Sequence, residues 1–426
     1  MSYKCIICKL ENVRKAENSD NLALGDCVGN TVVIGKDYPE GMLGVYFPCD
    51  GILSQEFCKA NNLFPIFDGN GKKVGGGFFD VNKPRVRAQK FRSNKSMGFF
   101  IGIKSLEFTG YDLDTLKIGD SLSELNGVEI CSKYINPATL RALNEGKRGK
   151  KQPVAPLFFE MRDVDQFDYY CKDIQIGSLI TLSNKKHGTS GRYSYTTTYI
   201  TLPWYKKLIN KIIPIFDNSK DEYIVGTRRV VLLPEDENKE GFHGSEAFRY
   251  KFLENIKGKV PLNLTIYLEI CGWANNKPIM PHHSLDKNDL KEIKNKYPSP
   301  MYFSYGNLEG QCDYTVYRIT WSGSDGSQFD LSWDQIEAFC HKNNLKHAFK
   351  LEPSFIYDGQ LDKLKEKVYS YLDKPDPEDN RHYSEGVCVR TDFNGKTDFY
   401  KKKGFYFAVG EGIIKDSEVV DMEESS

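Results

Sequence analysis

The 426-residue chain has no excess of charge: 58 Lys and Arg stand against 58 Asp and Glu. A nucleic-acid partner would therefore have to be met by a local basic surface, not by a global field. Long apolar runs are missing as well; none nears the ~18 residues needed to span a bilayer. The opening M-S-Y-K-C-I-I-C lacks a signal-peptide layout. Eleven Cys, an odd number spread from Cys5 to Cys388, form no disulfide framework and read as reduced thiols. Cys5 and Cys8 make a C-x-x-C with no second pair, better suited to packing a first strand than to holding a metal. His282 and His283 likewise have no further His or Cys at ligand spacing. Internal repeats and low-complexity tracts are absent. These gaps set the expectation of a soluble, cytoplasmic protein of two to three domains with no membrane partner.

What is present begins with short half-buried strands. Thr31–Gly35, the turn Tyr38-Pro39-Glu40-Gly41 and Leu43–Phe47 suggest a hairpin, and Gly75-Gly76-Gly77 after Val74 reads as a flexible loop. Asn82 to Lys95 carries six basic residues and no acid. Arg85, Arg87, Lys90 and Arg92 on this stretch, close to Phe91, Phe99 and Phe100, suit either a solvated edge or a groove for a phosphodiester backbone. Residues 1–145 are expected to form an all-β domain. The charged, Gly-bearing and Pro-ended segment 146–153 is expected to be a linker, and 154–426 a second domain mixing strands with helices. Within it, Ser332 with Gln335 marks a capping-box helix start, and Asp362 to Tyr371 a further helix.

The chemistry centres on S-N-K-K-H-G-T-S-G-R, Ser183 to Arg192, which follows the apolar run Ile176 to Leu182. Lysine is a rare nucleophile, because neutralising it at pH 7 from a reference pKa of about 10.4 costs on the order of 4–5 kcal/mol. A site that uses it needs burial or neighbouring cations. Four later segments supply candidates: Leu264–Gly272 with Glu269 inside an apolar strand, Asp313–Trp321 with Tyr on both faces, Tyr383–Arg390 with Glu385 and Gly386, and Phe399–Phe405 with Lys401 and Lys403 on one face. Each alone has an ordinary reading as a paired strand acid or a solvated lysine face. Their order is what sharpens them.

The series K-x-H-G, Y-x-E-x-x-G, aromatic strand, E-G-V-x-V and K-x-K resembles the covalent nucleotidyltransferase superfamily of ATP-dependent ligases and RNA capping enzymes. H-G-T after the lysine, the 15 residues that follow Glu411, and an all-β part in front narrow the resemblance to RNA ligases of the Deinococcus and Naegleria type, with phage relatives. Gly35–Ser54, Val86–Arg92, Gly226–Val231 and Lys401–Gly412 also resemble that family.

The resemblance implies an α+β fold: a nucleotidyltransferase domain of packed antiparallel sheets with helices, preceded by an OB-like β-barrel. It implies that Lys185 attacks the α-phosphate of ATP to form a lysyl-N–AMP adduct. Lys401 and Lys403 would hold that phosphate and lower the lysine's pKa. Glu385 would bind Mg²⁺ or Mn²⁺, and Glu269 a ribose hydroxyl. His187, Gly188, Thr189 and Arg192 fall in the nucleotide-binding motif, and Tyr317 is the choice for stacking on adenine, with Tyr314 on the other strand face as the fallback. AMP would pass to an RNA 5′-phosphate, and a 3′-OH would seal the strand, on RNA held as a nick or a bridged duplex by Arg85, Arg87, Lys90 and Arg92. Departures are Leu268 where the family has Gly, Ser190 where it has Arg, and Asp163–Phe167 as a loose match upstream. A DNA or mixed-substrate ligase and a non-catalytic nucleic-acid-binding protein are the rival readings.

Overall fold

The computed structural model describes residues 3–146, 155–199, 202–213, 215–232, 240–241, 244–286 and 288–416. The chain divides into two compact units. One draws on Met1–Pro137, Leu285–Lys296 and Gly404–Val419; the other draws chiefly on Ala138–Ser284 and Tyr297–Lys403. The expected linker lies outside the described residues except for Gly146, which ends the helix Pro137–Gly146.

The first unit is built on antiparallel strands β1 (Cys5–Lys9), β2 (Glu11–Lys15), β3 (Leu22–Cys27), β4 (Asn30–Gly35), β5 (Leu43–Phe47), β6 (Phe99–Gly102) and β7 (Ser121–Leu122). Along β3 and β4 buried residues alternate with more exposed ones, the two-residue period of a strand. The expected strands over 31–35 and 43–47 exist, but they do not form a hairpin. β4 closes a three-stranded β2-β3-β4 sheet, whereas β5 lies inside a four-stranded sheet of order β6-β5-β1-β7. This pairing does not by itself close a barrel. Cys5 and Cys8 are buried strand residues and free thiols, as packing required. The glycine run is partly strand: Lys73–Gly76 pairs with Pro65–Phe67, and a Cβ on Gly76 would lie 2.1 Å from the Phe64 carbonyl oxygen.

This unit also corrects the reading of the basic strand. Arg85 is buried, donating to the Gly412 carbonyl at 3.0 Å and to Asp416 at 2.7 Å, with Asp50 at 3.2 Å and the Tyr134 ring 4.5 Å beneath it. Arg87 pairs with the other Asp416 oxygen at 2.7 Å, and Lys90 with Glu292 at 2.9 Å. The helix Phe405–Asp416 thus brings its last carboxylate to the strand, and Arg85 has no surface left to offer RNA. Burial opposes ionisation of Asp416, but Arg85 and Arg87 hold its carboxyl below the usual range. Arg92, at the tip of the Ala88–Phe91/Asn94–Met97 hairpin, remains exposed.

Among the described residues the second unit is built on two larger, mostly antiparallel sheets. Strands β8 (Leu179–Lys185), β9 (Thr189–Tyr199), β10 (Ser219–Gly226), β11 (Leu264–Ala274), β12 (Cys312–Ser322), β13 (Gly386–Phe393) and β14 (Lys396–Lys403) make most of them. The larger sheet runs Val231–Leu232, β10, β9, β11, β12, Gln328–Asp330; the smaller runs Asp165–Gln166, β14, β13, β8, Phe355–Ile356. Helices α1 (Trp204–Ile212), α2 (Ala247–Ile256), α3 (Trp333–Asn343) and α4 (Leu361–Tyr369) follow. Phe252 and Ile256 of α2 and Trp333 and Ile336 of α3 join one core with Ile266, Leu268 and Val316. Leu364 and Val368 of α4 join Ile180, Leu182, Val387 and Val389 in another. Ser332 caps α3 with both capping-box hydrogen bonds, as its sequence predicts. Unlike these, α1 buries none of its residues, although Tyr205, Leu208, Ile209 and Ile212 share one face. The fold class is α+β, with mostly antiparallel sheets.

Candidate active site

The site starts from strand register. β8 pairs with β13 so that Lys185 lies opposite Gly386, and β13 pairs with β14 so that Gly386 lies opposite Lys403 and Cys388 opposite Lys401. One row across three strands therefore carries Lys185, the Glu385–Gly386 dipeptide and Lys403. Gly386 is required by the close strand approach, because a Cβ there would sit 2.0 Å from the Lys402 carbonyl oxygen. Between the two phosphate-lysine candidates, Lys402 points the other way and forms a buried ion pair with Asp168. That pair leaves Lys401 and Lys403 on the opposite strand face.

The Glu385 side chain is 0% exposed, and its Oε1 lies 2.7 Å from Lys185 Nζ and 3.4 Å from Lys403 Nζ. Burying a carboxylate costs several kcal/mol, and two ammonium neighbours offset that cost. Sequence reasoning placed cations next to Lys185. The structure adds an anion, Glu385, 2.7 Å from the Lys185 Nζ, an ion pair that has to open before the amine can attack.

Glu269 lies on β11 opposite Ser190 of β9 and Thr315 of β12. It lines a cavity with Lys185, Lys401, Gly188, Thr189 and Tyr317. Gly188 lets the turn pass close to β11, since a Cβ would meet the Ile270 carbonyl oxygen at 2.4 Å. Thr189 Oγ1 accepts a 2.6 Å hydrogen bond from buried Arg249 of α2. The Tyr317 hydroxyl is 3.3 Å from Ser190 Oγ, and burial together with the Glu269 charge pushes its phenol up, keeping the ring neutral. Tyr314, the fallback, faces the other way and packs against Phe252 at 4.9 Å between centroids. Leu268, a departure from the family pattern, also points into the core, away from the Glu269 side.

Two expected nucleotide ligands sit elsewhere. His187 lies behind the cavity, its Nδ1 3.9 Å from Glu385 Oε2, its ring edge-on to Phe303, and its backbone N–H donating to the Tyr305 hydroxyl at 2.6 Å. Arg192 is fully buried: Nε donates to the Thr227 carbonyl at 2.5 Å, and the guanidinium stacks on Phe158 at 4.4 Å. It shares a strand face with Ser190 but is roofed by that phenylalanine, so it does not replace the missing arginine.

Three cavity arginines were missed. Arg228 lines it and pairs with Asp163, which joins the G-T-R-R-V-V stretch to the D-V-D-Q-F stretch; those two resemblances were the signal. Arg162 and Arg390 lie 5.2 Å from the Phe399 ring, which also faces the cavity. Nothing in the local pattern distinguishes them from surface arginines. Cys388 lines the cavity too, but burial pushes its thiol up to about 11 against the pull of Lys185 and Lys401, which keeps it unreactive.

Among the described residues no three His, Cys, Asp or Glu side chains form a metal cluster. His283 is buried against the Tyr383 hydroxyl at 2.6 Å, which accounts for it without a metal. The donor set fits Mg²⁺ or Mn²⁺ nonetheless. Such hard ions take one or two carboxylates and complete their shell with waters and substrate phosphates, and Glu385 offers one buried carboxylate next to the lysine row.

A lysine row around a buried glutamate thus stands beside an aromatic and cationic cavity in a unit of two mostly antiparallel sheets. The RNA ligase family model matches residues 179–403, and the chain belongs to the RNA ligase family. No curated protein sequence matches it. Among solved structures, a mutant of Naegleria gruberi RNA ligase without ligand matches with TM-score 0.59 at 16% identity, over 97% of this chain and 100% of that one. A mutant of the same ligase with ATP and Mn matches with TM-score 0.58 at 17% identity, over 95% and 98%. Another with AMP and Mn matches with TM-score 0.59 at 17% identity, over 95% and 98%. At this identity the likeness speaks for the fold.

Proposed function

We propose that the protein is an ATP-dependent RNA ligase that joins a 3′-OH to a 5′-phosphate through an AMP–lysine intermediate. The observation that carries this is the Lys185–Glu385–Lys403 row at the edge of the cavity. First, Lys185 Nζ attacks the α-phosphorus of ATP; a P–N bond forms, the α–β bridging P–O bond breaks, and pyrophosphate leaves. Lys401 and Lys403 hold the α-phosphate and offset its growing charge. Glu269 accepts from the ribose, and Tyr317 stacks on the adenine. Next, an RNA 5′-phosphate oxygen displaces the lysine, giving a 5′–5′ phosphoanhydride. Finally the 3′-OH attacks that 5′-phosphate, the phosphodiester forms, and AMP departs.

Mg²⁺ or Mn²⁺ on Glu385 would supply positive charge at the α-phosphate. Lys401 and Lys403, as neighbouring cations, favour the neutral amine of Lys185 once its ion pair with Glu385 opens. The Naegleria ligase structures with ATP or AMP and Mn support the choice of nucleotide and ion. Eleven free cysteines support a reducing compartment, for which the cytoplasm, or a host cytoplasm if the gene is viral, is the proposed location. Arg92 is the member of the basic strand still suited to touch RNA.

The test is incubation with α-labelled ATP and Mg²⁺, followed by sealing assays on nicks with RNA or DNA at the 3′-OH side. Wild type is expected to take up label and to seal RNA ends, and Lys185→Ala to do neither. Label retained by Lys185→Ala refutes the mechanism. Equal sealing of DNA-ended nicks moves the reading to a mixed-substrate ligase.

A further inference from the structure

Two adjacent lysines meet two different carboxylates. Lys185 pairs with Glu385, whereas Lys186 Nζ lies 2.8 Å from Glu378 Oε1 and 3.1 Å from Thr315 Oγ1. The second Glu378 oxygen, Oε2, accepts a 3.0 Å hydrogen bond from Asn184 Nδ2. One carboxylate therefore grips the residue before the nucleophile with one oxygen and the residue after it with the other.

The grip is itself anchored. Asn184 Nδ2 also donates to Asp376 Oδ2 at 3.0 Å, and the Glu378 backbone N–H donates to Asp376 Oδ1 at 2.9 Å. Asp379, next in the chain, is tied to Ser304 and to the Gly306 N–H at 2.8 and 2.9 Å. The loop that carries Glu378 is thus pinned to its own backbone and to a second segment. On the other side, Ser384 Oγ reaches Asn184 Oδ1 at 3.4 Å, one residue from Glu385.

We propose that Glu378 is a positioning residue for adenylate transfer, holding Asn184 and Lys186 so that Lys185 is aimed at the α-phosphate. This rests on the function proposed above. Lysine carries four rotatable side-chain bonds at a strand end, and misplacement by about 1 Å can cost on the order of 100-fold in rate. The two charge-assisted contacts hold the side chains on both sides of the amine. They also sort the cations: Lys186 held at Glu378 is kept from competing with Lys185 and Lys403 for Glu385. Glu378 touches no reacting atom and acts through its neighbours.

The experiment uses the full chain with Glu378→Ala and Glu378→Gln. Two reactions are compared: transfer of label from α-labelled ATP to the enzyme, with its KM for ATP, and sealing of a pre-adenylylated RNA strand onto a 3′-OH. The second reaction needs no lysine nucleophile. For Glu378→Ala the expected result is labelling slowed about 10- to 100-fold, with KM and the sealing of pre-adenylylated RNA both within about 3-fold. Glu378→Gln keeps an acceptor for Asn184 and loses the charge facing Lys186, so it should fall between. Wild-type labelling by Glu378→Ala overturns the proposal, as does an equal loss of both reactions in the isosteric Gln variant. Should wild type take no label, or Lys185→Ala take it, the ligase mechanism fails first. Wild-type labelling with an indifferent Glu378 leaves that mechanism standing and removes only the clamp.

Discussion

At the scale of single residues, the cavity separates side chains that sequence spacing treats alike. Tyr317 and Tyr314 sit three apart on one strand, yet the first faces Glu269 and Ser190 and the second is packed on Phe252. If Tyr317 stacks on adenine, its loss removes roughly 1–3 kcal/mol of binding. Tyr317→Ala is then expected to raise the KM for ATP in adenylate transfer by about 5- to 150-fold. Tyr317→Phe keeps the ring, loses only the contact with Ser190, and should stay within about 3-fold of wild type. An alanine variant with an unchanged KM would move the base to another wall, with Phe399 the next candidate.

The same scale shows what a sequence reveals. Lys185, Glu269, Tyr317 and Lys401 could be picked out because the chemistry demands particular residue types in a particular order, and the cavity gathers all four. Arg192 could not be judged, because its exclusion depends on Phe158, 34 residues upstream, lying over it. Arg85 was misjudged for a similar reason. Its partner Asp416 is 331 residues away, so an arginine that looks open to solvent is already paired.

At the scale of elements, what matters is the distance between strands. The row from Lys185 to Lys403 exists because β13 runs tight against β14, and that spacing depends on Gly386. Gly386→Ala places a methyl group against a backbone carbonyl, which cannot swing aside as a flexible side chain would. The expected cost is about 1–3 kcal/mol of stability, read as a lower melting temperature, together with a loss of adenylate transfer larger than the change in folded fraction explains. Wild-type melting and wild-type labelling would mean the two strands are not held this closely. Strand alternation, the α3 cap and the approximate span of α4 follow from local pattern, whereas strand partners do not. β4 and β5 read as a hairpin because they are adjacent in sequence, but each pairs elsewhere, β4 with β3 and β5 with β1 and β6.

At the scale of the whole molecule, every residue of the cavity and of the lysine row belongs to the unit that holds most of residues 138–403, and the family match over 179–403 lies in that unit except for Leu285–Lys296. The other unit recruits the segments Leu285–Lys296 and Gly404–Val419 from far along the chain. Asp416, Arg85 and Arg87 fasten one of those returning segments. The K-x-K motif ends one unit at Lys403, and the next residue, Gly404, begins the returning segment of the other. The proposed chemistry depends on one amine and its immediate neighbours. Peptide mapping by mass spectrometry, after incubation with ATP and Mg²⁺ and trapping of the phosphoramidate, tests that directly. The AMP adduct is expected on Lys185 alone; an adduct on Lys186, or none on either lysine, would contradict it.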